Sequence, residues 1–234
     1  MNKKKIIIIS VSITLALVIF SILINTFVFY LPNQKNKEER EKLFKQFYQA
    51  KIETFAEENK TISNPDVVFL GDSLTDGYDL THYYPEYNCI NRGISGDTTF
   101  GLEKRLRVSA FEINPKVVCM LIGGNNLSTM FQNYEQILIS LKENLPNTKI
   151  ILLSLTAMGN QWAKNNDLAI ANNQKIKSMA QSYQFEFVDL FTPLYDYKKG
   201  TIKDGLSVDG VHFSSEGYTI VTEQIKPILA NLLI

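Results

Sequence analysis

Four short, mostly apolar runs, each closed by a glycine or a polar residue, constrain the fold of this chain more than any other feature. Val67-Val-Phe-Leu70 runs into Gly71 and Val117-Val-Cys-Met-Leu-Ile122 into Gly123, while Ile150-Ile-Leu-Leu153 and Phe185-Glu-Phe-Val188 follow downstream. Runs of this length without polar alternation read as strands buried on both faces. Between and after them, apolar residues recur at helical spacing. Tyr134, Ile137, Leu138, Leu141 and Leu145 share one face, as do Tyr218, Val221, Ile225, Ile228, Leu229 and Leu232. Leu102, Leu106 and Ala110 sketch a shorter helix, and Leu168, Asn172, Ile176, Met179 and Tyr183 a weaker one. Such alternation predicts an α/β domain with a parallel sheet covered on both faces. Ligands of such sheets sit at the C-terminal ends of the strands.

Residues suited to acyl-transfer chemistry fall at those ends. The first strand leads into Gly71-Asp-Ser-Leu-Thr-Asp-Gly77, which puts Ser73 in a turn at the sheet edge. A serine nucleophile needs a base, and the chain has two histidines, His82 and His212. In Asp209-Gly-Val-His212 a carboxylate precedes the imidazole by three residues in a glycine turn, so it can orient the ring while the other nitrogen faces a serine. His82, in Thr81-His-Tyr-Tyr-Pro85, has no comparable partner and reads as a surface residue. Donors for a developing oxyanion are available in Ile94-Ser-Gly-Asp-Thr-Thr99, around Gly96, and in Gly123-Gly-Asn-Asn126, through Asn125.

In order, Gly71-Asp-Ser-Leu74, Gly96 before Asp97, Gly-Gly-Asn125 and Asp209-x-x-His212 resemble the blocks of the SGNH (GDSL) hydrolases. The resemblance spans roughly residues 62–232. Asn91-Arg-Gly-Ile-Ser-Gly-Asp-Thr-Thr99 is similar to the branch of platelet-activating-factor acetylhydrolase subunits and lysophospholipase-like esterases. It implies a flavodoxin-like three-layer α/β/α sandwich with a five-stranded parallel sheet in the order 2-1-3-4-5. It also implies Ser73 as nucleophile, His212 as base and Asp209 as its orienter. The oxyanion donors would be the backbone N–H groups of Ser73 and Gly96 and the side-chain amide of Asn125. Neither a cofactor nor a metal is called for, and two His and two Cys make no recognisable zinc cluster. In the implied order the first strand separates Cys89 from Cys119 by two strand spacings, ~9.6 Å, beyond disulfide reach. Two buried free thiols are therefore expected.

The N-terminus sets the expected location. Ile6 to Leu31 is an uncharged run of 26 residues, about 39 Å long as a helix and longer than the ~30 Å hydrocarbon core. Bulky residues in Thr26-Phe-Val-Phe-Tyr-Leu-Pro32 and the lack of a following Cys argue for an uncleaved signal anchor. Lys3, Lys4 and Lys5 place its start inside, although Lys35, Lys37 and Arg40 on the far flank weaken the bias. The expected organisation is an anchor at 1–31, a stalk and packing helix at 32–61, and the hydrolase domain at 62–234. In the second segment Leu43, Phe44, Phe47, Tyr48 and Phe55 are spaced to pack onto the domain. Beyond residue 31 the chain holds 21 basic against 24 acidic residues with no basic cluster, a poor basis for nucleic-acid binding.

These readings predict a single-pass cell-membrane protein whose extracytoplasmic domain is a serine esterase. Transfer of an acyl group to or from an envelope polymer, lysophospholipase activity and a non-catalytic binding module are the alternatives. Short connections at the active edge leave only Thr156 to Asp167 long enough for a pocket wall, with Trp162 and Met158 as its apolar contacts. The expected pocket is open and shallow and favours short acyl groups.

Overall fold

A computed structural model of the chain describes residues 31–233, with side chains described from residue 36. The apolar segment 6–31, and with it the anchor, lies outside the described residues apart from Leu31. Among the described residues no helix is long and apolar enough to cross a membrane. The chain divides into two compact units, Met1–Ala50 and Lys51–Ile234.

The second unit is built on a five-stranded parallel sheet in the order β2-β1-β3-β4-β5. Its strands are β1 (Val67–Gly71), β2 (Cys89–Gly93), β3 (Val117–Leu121), β4 (Lys149–Leu153) and β5 (Glu186–Val188). Every residue of β1 and β3 is buried. Successive strand residues point to opposite faces, so both faces of the sheet centre are covered. Val67 pairs with Cys89 on one side and Val117 on the other, and the strand progression reverses at β1. That reversal between β1 and β3 is the switch point at which open α/β sheets bind ligands.

The helices are α1 (Leu31–Glu58), α2 (Ser73–Asp76), α3 (Leu80–Tyr83), α4 (Thr99–Leu106), α5 (Tyr134–Asn144), α6 (Asn166–Tyr183), α7 (Phe191–Leu194) and α8 (Ser215–Leu232). Tyr134, Ile137, Leu138 and Leu141 bury one face of α5, and Val221, Ile225 and Leu229 one face of α8, as their spacing predicts. The Leu102, Leu106 and Ala110 helix departs from its pattern: α4 ends at Leu106 and a π-helical turn, Arg107–Phe111, carries the buried Ala110. In α6 the buried face is Ala169, Asn172, Ile176 and Ala180, while Leu168 is 40% exposed. Small residues allow close approach to the sheet, and the larger apolar side chains are displaced to the flank. A short hairpin, β6 (Tyr195–Asp196) with β7 (Thr201–Ile202), follows α7 and has no counterpart in the apolar runs.

Of the apolar residues spaced along α1, Phe55 lies in the second unit. Phe55 is buried, with the Arg92 guanidinium 4.5 Å from its ring centre. Both cysteines are free, with Cys119 buried in β3 and Cys89 only half-buried in the edge strand β2.

Candidate active site

Ser73 opens the four-residue helix α2, directly beyond the end of β1. The chain turns there because Asp72 caps the helix, its Oδ1 accepting from the Leu74 N–H at 3.1 Å. Gly71 makes the turn possible. A Cβ at this position would lie 2.1 Å from Thr75 Oγ1 and 2.4 Å from the Leu121 carbonyl of β3, and real Cβ contacts are never that close. As first residue of a helix, Ser73 has an N–H without an intrahelical acceptor.

His212 arrives from the far end of the sequence, on the turn before α8. Its Nε2 is 2.9 Å from Ser73 Oγ, and its Nδ1 is 2.6 Å from Asp209 Oδ2. The other carboxylate oxygen of Asp209 accepts the backbone N–H groups of Val211 and His212, at 2.9 and 2.8 Å. The His212 side chain above all, with these two N–H groups, holds the Asp209 carboxyl down to about 2 against the opposing effect of burial. Asp209 is thus an anion across the ordinary pH range. The chain serine–imidazole–carboxylate is one in which a hydroxyl proton can pass to a ring whose tautomer the carboxylate fixes.

Asn125 sits in the 3₁₀ turn Gly124–Asn126 just past β3. Its Nδ2 donates to the Asp97 carbonyl at 2.8 Å, leaving its second N–H for another acceptor. Gly96 is exposed in the turn after β2 with φ +81°. Its neighbours are engaged, Ser95 N–H with Asp76 and Asp97 N–H with the Ile94 carbonyl.

A cavity of about 570 Å³ opens over this edge, bounded by Ser73, Asn125, Asp209 and His212 on its polar side and by Leu121, Leu127, Leu155, Met158, Trp162 and Leu168 among its apolar residues. Met158 and Trp162 therefore face the same cavity as Ser73; Met158 is buried and Trp162 is 43% exposed. Gly96 does not line the cavity. His82 does not line it either; its exposed ring rests edge-on against Tyr83. Among the described residues no group of three or more His, Cys, Asp and Glu is placed to hold a metal ion.

Two charged residues that motif reading passed over are buried here. Asp72 lines the cavity at 4% exposure, and burial pushes its carboxyl up to about 6. Nearby Asp97 adds to the rise, while the Leu74 N–H and His212 oppose it. Arg105, 1% exposed, occupies the apolar face of α4 between Leu102 and Leu106. An arginine inside an otherwise apolar helical stripe is the sequence signal that could have found it.

Comparison with known proteins decides the family. The GDSL-like lipase/acylhydrolase family matches residues 69–220. The chain belongs to that family. It is accordingly a serine hydrolase that acts on ester bonds. Among solved structures, this GDSL hydrolase is similar to a Streptococcus pneumonia protein described as a platelet activating factor, at 25% identity and TM-score 0.70 over 84% of this chain and 99% of that one. It is also similar to a GDSL-like lipase from Bacteroides thetaiotaomicron, at 26% identity and TM-score 0.68 over 77% and 97%. Axe2, an acetylxylan esterase from Geobacillus stearothermophilus, shares the fold at 21% identity and TM-score 0.59 over 73% and 96%. Among curated proteins, none matches the sequence.

Proposed function

We propose that this hydrolase is a membrane-anchored, extracytoplasmic serine esterase that removes short acyl groups from a larger alcohol. The observation that carries the reading is the contact of Ser73 Oγ with His212 Nε2 at 2.9 Å, between two residues that line the cavity. His212 takes the Ser73 proton as the hydroxyl oxygen attacks the ester carbonyl carbon. The N–H of Ser73 and the free N–H of Asn125, both at the cavity, receive the oxyanion, and the N–H of Gly96, in the adjoining turn, is the third donor that the motif implies. Collapse of the tetrahedral species expels the alkoxide, protonated by His212, and leaves the acyl group on Ser73. Water attacks that ester with His212 again as base, releasing the acid and restoring the hydroxyl. Asp209 keeps its charge throughout and stabilises the imidazolium.

The substrate reading rests on the cavity's shape and lining. Its wall is formed by the loop carrying Met158 and Trp162, and the half-exposed Trp162 leaves the mouth open to a bulky alcohol. The membrane location rests on the uncharged run of 26 residues, Ile6 to Leu31. Small acylated molecules or acylated envelope polymers are the substrates that such a tethered domain would meet; lysophospholipids are the second reading.

A fluorophosphonate probe tests the chemistry. The full chain should be labelled at Ser73, with labelling abolished in Ser73→Ala; labelling that survives that substitution refutes the assignment. Protease added to intact cells tests the location. It should release a fragment beginning near residues 33–40, whereas protection until lysis would reverse the topology.

A further inference from the structure

The guanidinium of Arg105 bonds to two of the three segments that carry the proposed oxyanion donors and reaches the third through Asp97. Its Nη2 donates to the carbonyl of Gly71 at 2.9 Å, two residues before Ser73. One Nη1 hydrogen bond goes to the carbonyl of Arg92 at 2.8 Å, near the end of β2 and before the Gly96 turn. A second goes to Ser109 Oγ at 2.9 Å. Its Nε donates at 2.8 Å to Asp97 Oδ2, and the same Asp97 offers its carbonyl to Asn125 Nδ2 at 2.8 Å. Arg105 and Asp97 are both almost wholly buried, at 1% and 2% exposure.

A buried ion pair is not in itself a stabilising feature. Desolvating both charges offsets most of the attraction, and a well-packed apolar pair often serves stability equally well. What an apolar pair cannot supply is the planar fork, which fixes several acceptors at once in set directions. Here those acceptors are main-chain carbonyls at two adjacent strand ends and the carboxylate of the residue that orients Asn125. Stabilisation of an oxyanion depends on donors preset within a few tenths of an ångström.

We infer that Arg105, through its ion pair with Asp97, is a positioning residue that sets the spacing of the Ser73, Gly96 and Asn125 donors. It touches neither substrate nor the reacting atoms. The inference rests on the oxyanion assignment proposed above and extends it. Lysine at position 105 keeps the charge and loses the fork, so the donors should drift while Ser73 and His212 stay in contact.

The test compares hydrolysis of p-nitrophenyl acetate with that of its thiono analogue, whose C=S sulfur is a poor hydrogen-bond acceptor. The ratio of the two kcat/KM values cancels any change in the fraction of folded enzyme. Asn125→Ala should lower this oxo-to-thiono ratio. Arg105→Lys should lower it in the same sense, with kcat on the oxo ester down by about 10- to 100-fold and KM within about twofold. If Arg105→Lys does not fold, Asp97→Asn, which keeps the residue 97 carbonyl, is measured in its place. An unchanged ratio in the variant, or equal losses on both substrates, overturns the positioning role. An unchanged ratio in Asn125→Ala overturns the oxyanion assignment itself, and the inference with it.

Discussion

Gly159 donates its backbone N–H to the carbonyl of Gly210 at 2.7 Å. The loop that walls the cavity is thereby joined, main chain to main chain, to the turn that presents Asp209 and His212. Asn160 adds a side-chain bond to the Asp209 carbonyl at 2.9 Å. Gly210 has φ +95°, and a Cβ there would lie 2.7 Å from the Gly159 oxygen.

Gly210→Ala therefore meets both left-handed backbone strain and a clash with backbone. Thermal melts of the full chain should show destabilisation of about 1–3 kcal/mol. Activity at a temperature where the variant is fully folded should also fall, because Asp209 and His212 flank the altered residue. Full activity at that temperature would mean the turn tolerates the change.

Ser73→Ala and His212→Ala should each remove nearly all ester turnover, since both groups take part in every proton transfer. Asp209→Asn should cost less, though still a large factor, because the carboxylate only orients and stabilises the ring. His82→Ala should match the wild type, its ring being exposed and outside the cavity. An inactive His82→Ala beside an active His212→Ala would reassign the base.

Asp72 gives stability a pH dependence of known sign. Its folded carboxyl is raised to about 6 from an ordinary 3.8, so the folded state holds the proton longer than the unfolded chain. Stability from this group is full below about pH 4 and is lost as pH rises towards 6. Asp72→Asn keeps the cap to Leu74 and should flatten that decline. Denaturant titrations across pH 4–7 that show the same slope in both proteins would exclude it.

Burial pushes the Cys89 thiol up to about 12 and raises the Cys119 thiol well above its ordinary value. Iodoacetamide at pH 8 should leave both unmodified in the native chain and alkylate both after unfolding. Mass spectrometry showing a Cys89–Cys119 bridge would contradict the strand order, in which β1 lies between them.

Acyl length is the direct check on the cavity. The full chain should cleave p-nitrophenyl acetate or butyrate well and the palmitate ester poorly. Trp162→Ala should raise KM more than it lowers kcat. Rates that climb through palmitate would favour a lipase instead.

Local chemistry made much of this protein legible without coordinates. Continuous apolar runs pointed to strands covered on both faces, as β1 and β3 are, and the order of the motif blocks pointed to Ser73, Asn125 and the Asp209–His212 turn as parts of separate elements. Spacing also tied Asp209 to His212, because a three-residue glycine turn leaves few other partners for the ring. What residues apart in sequence do to one another was set by tertiary packing. Arg105 acquires its role only when β1, β2 and α4 converge on its guanidinium, and Asp72 its raised carboxyl only when buried near Asp97. The same holds for the face of α6. Periodicity specifies which side chains share a stripe, but the surface a stripe meets, and hence whether Ala180 is buried while Leu168 is not, depends on the packing of elements distant along the chain.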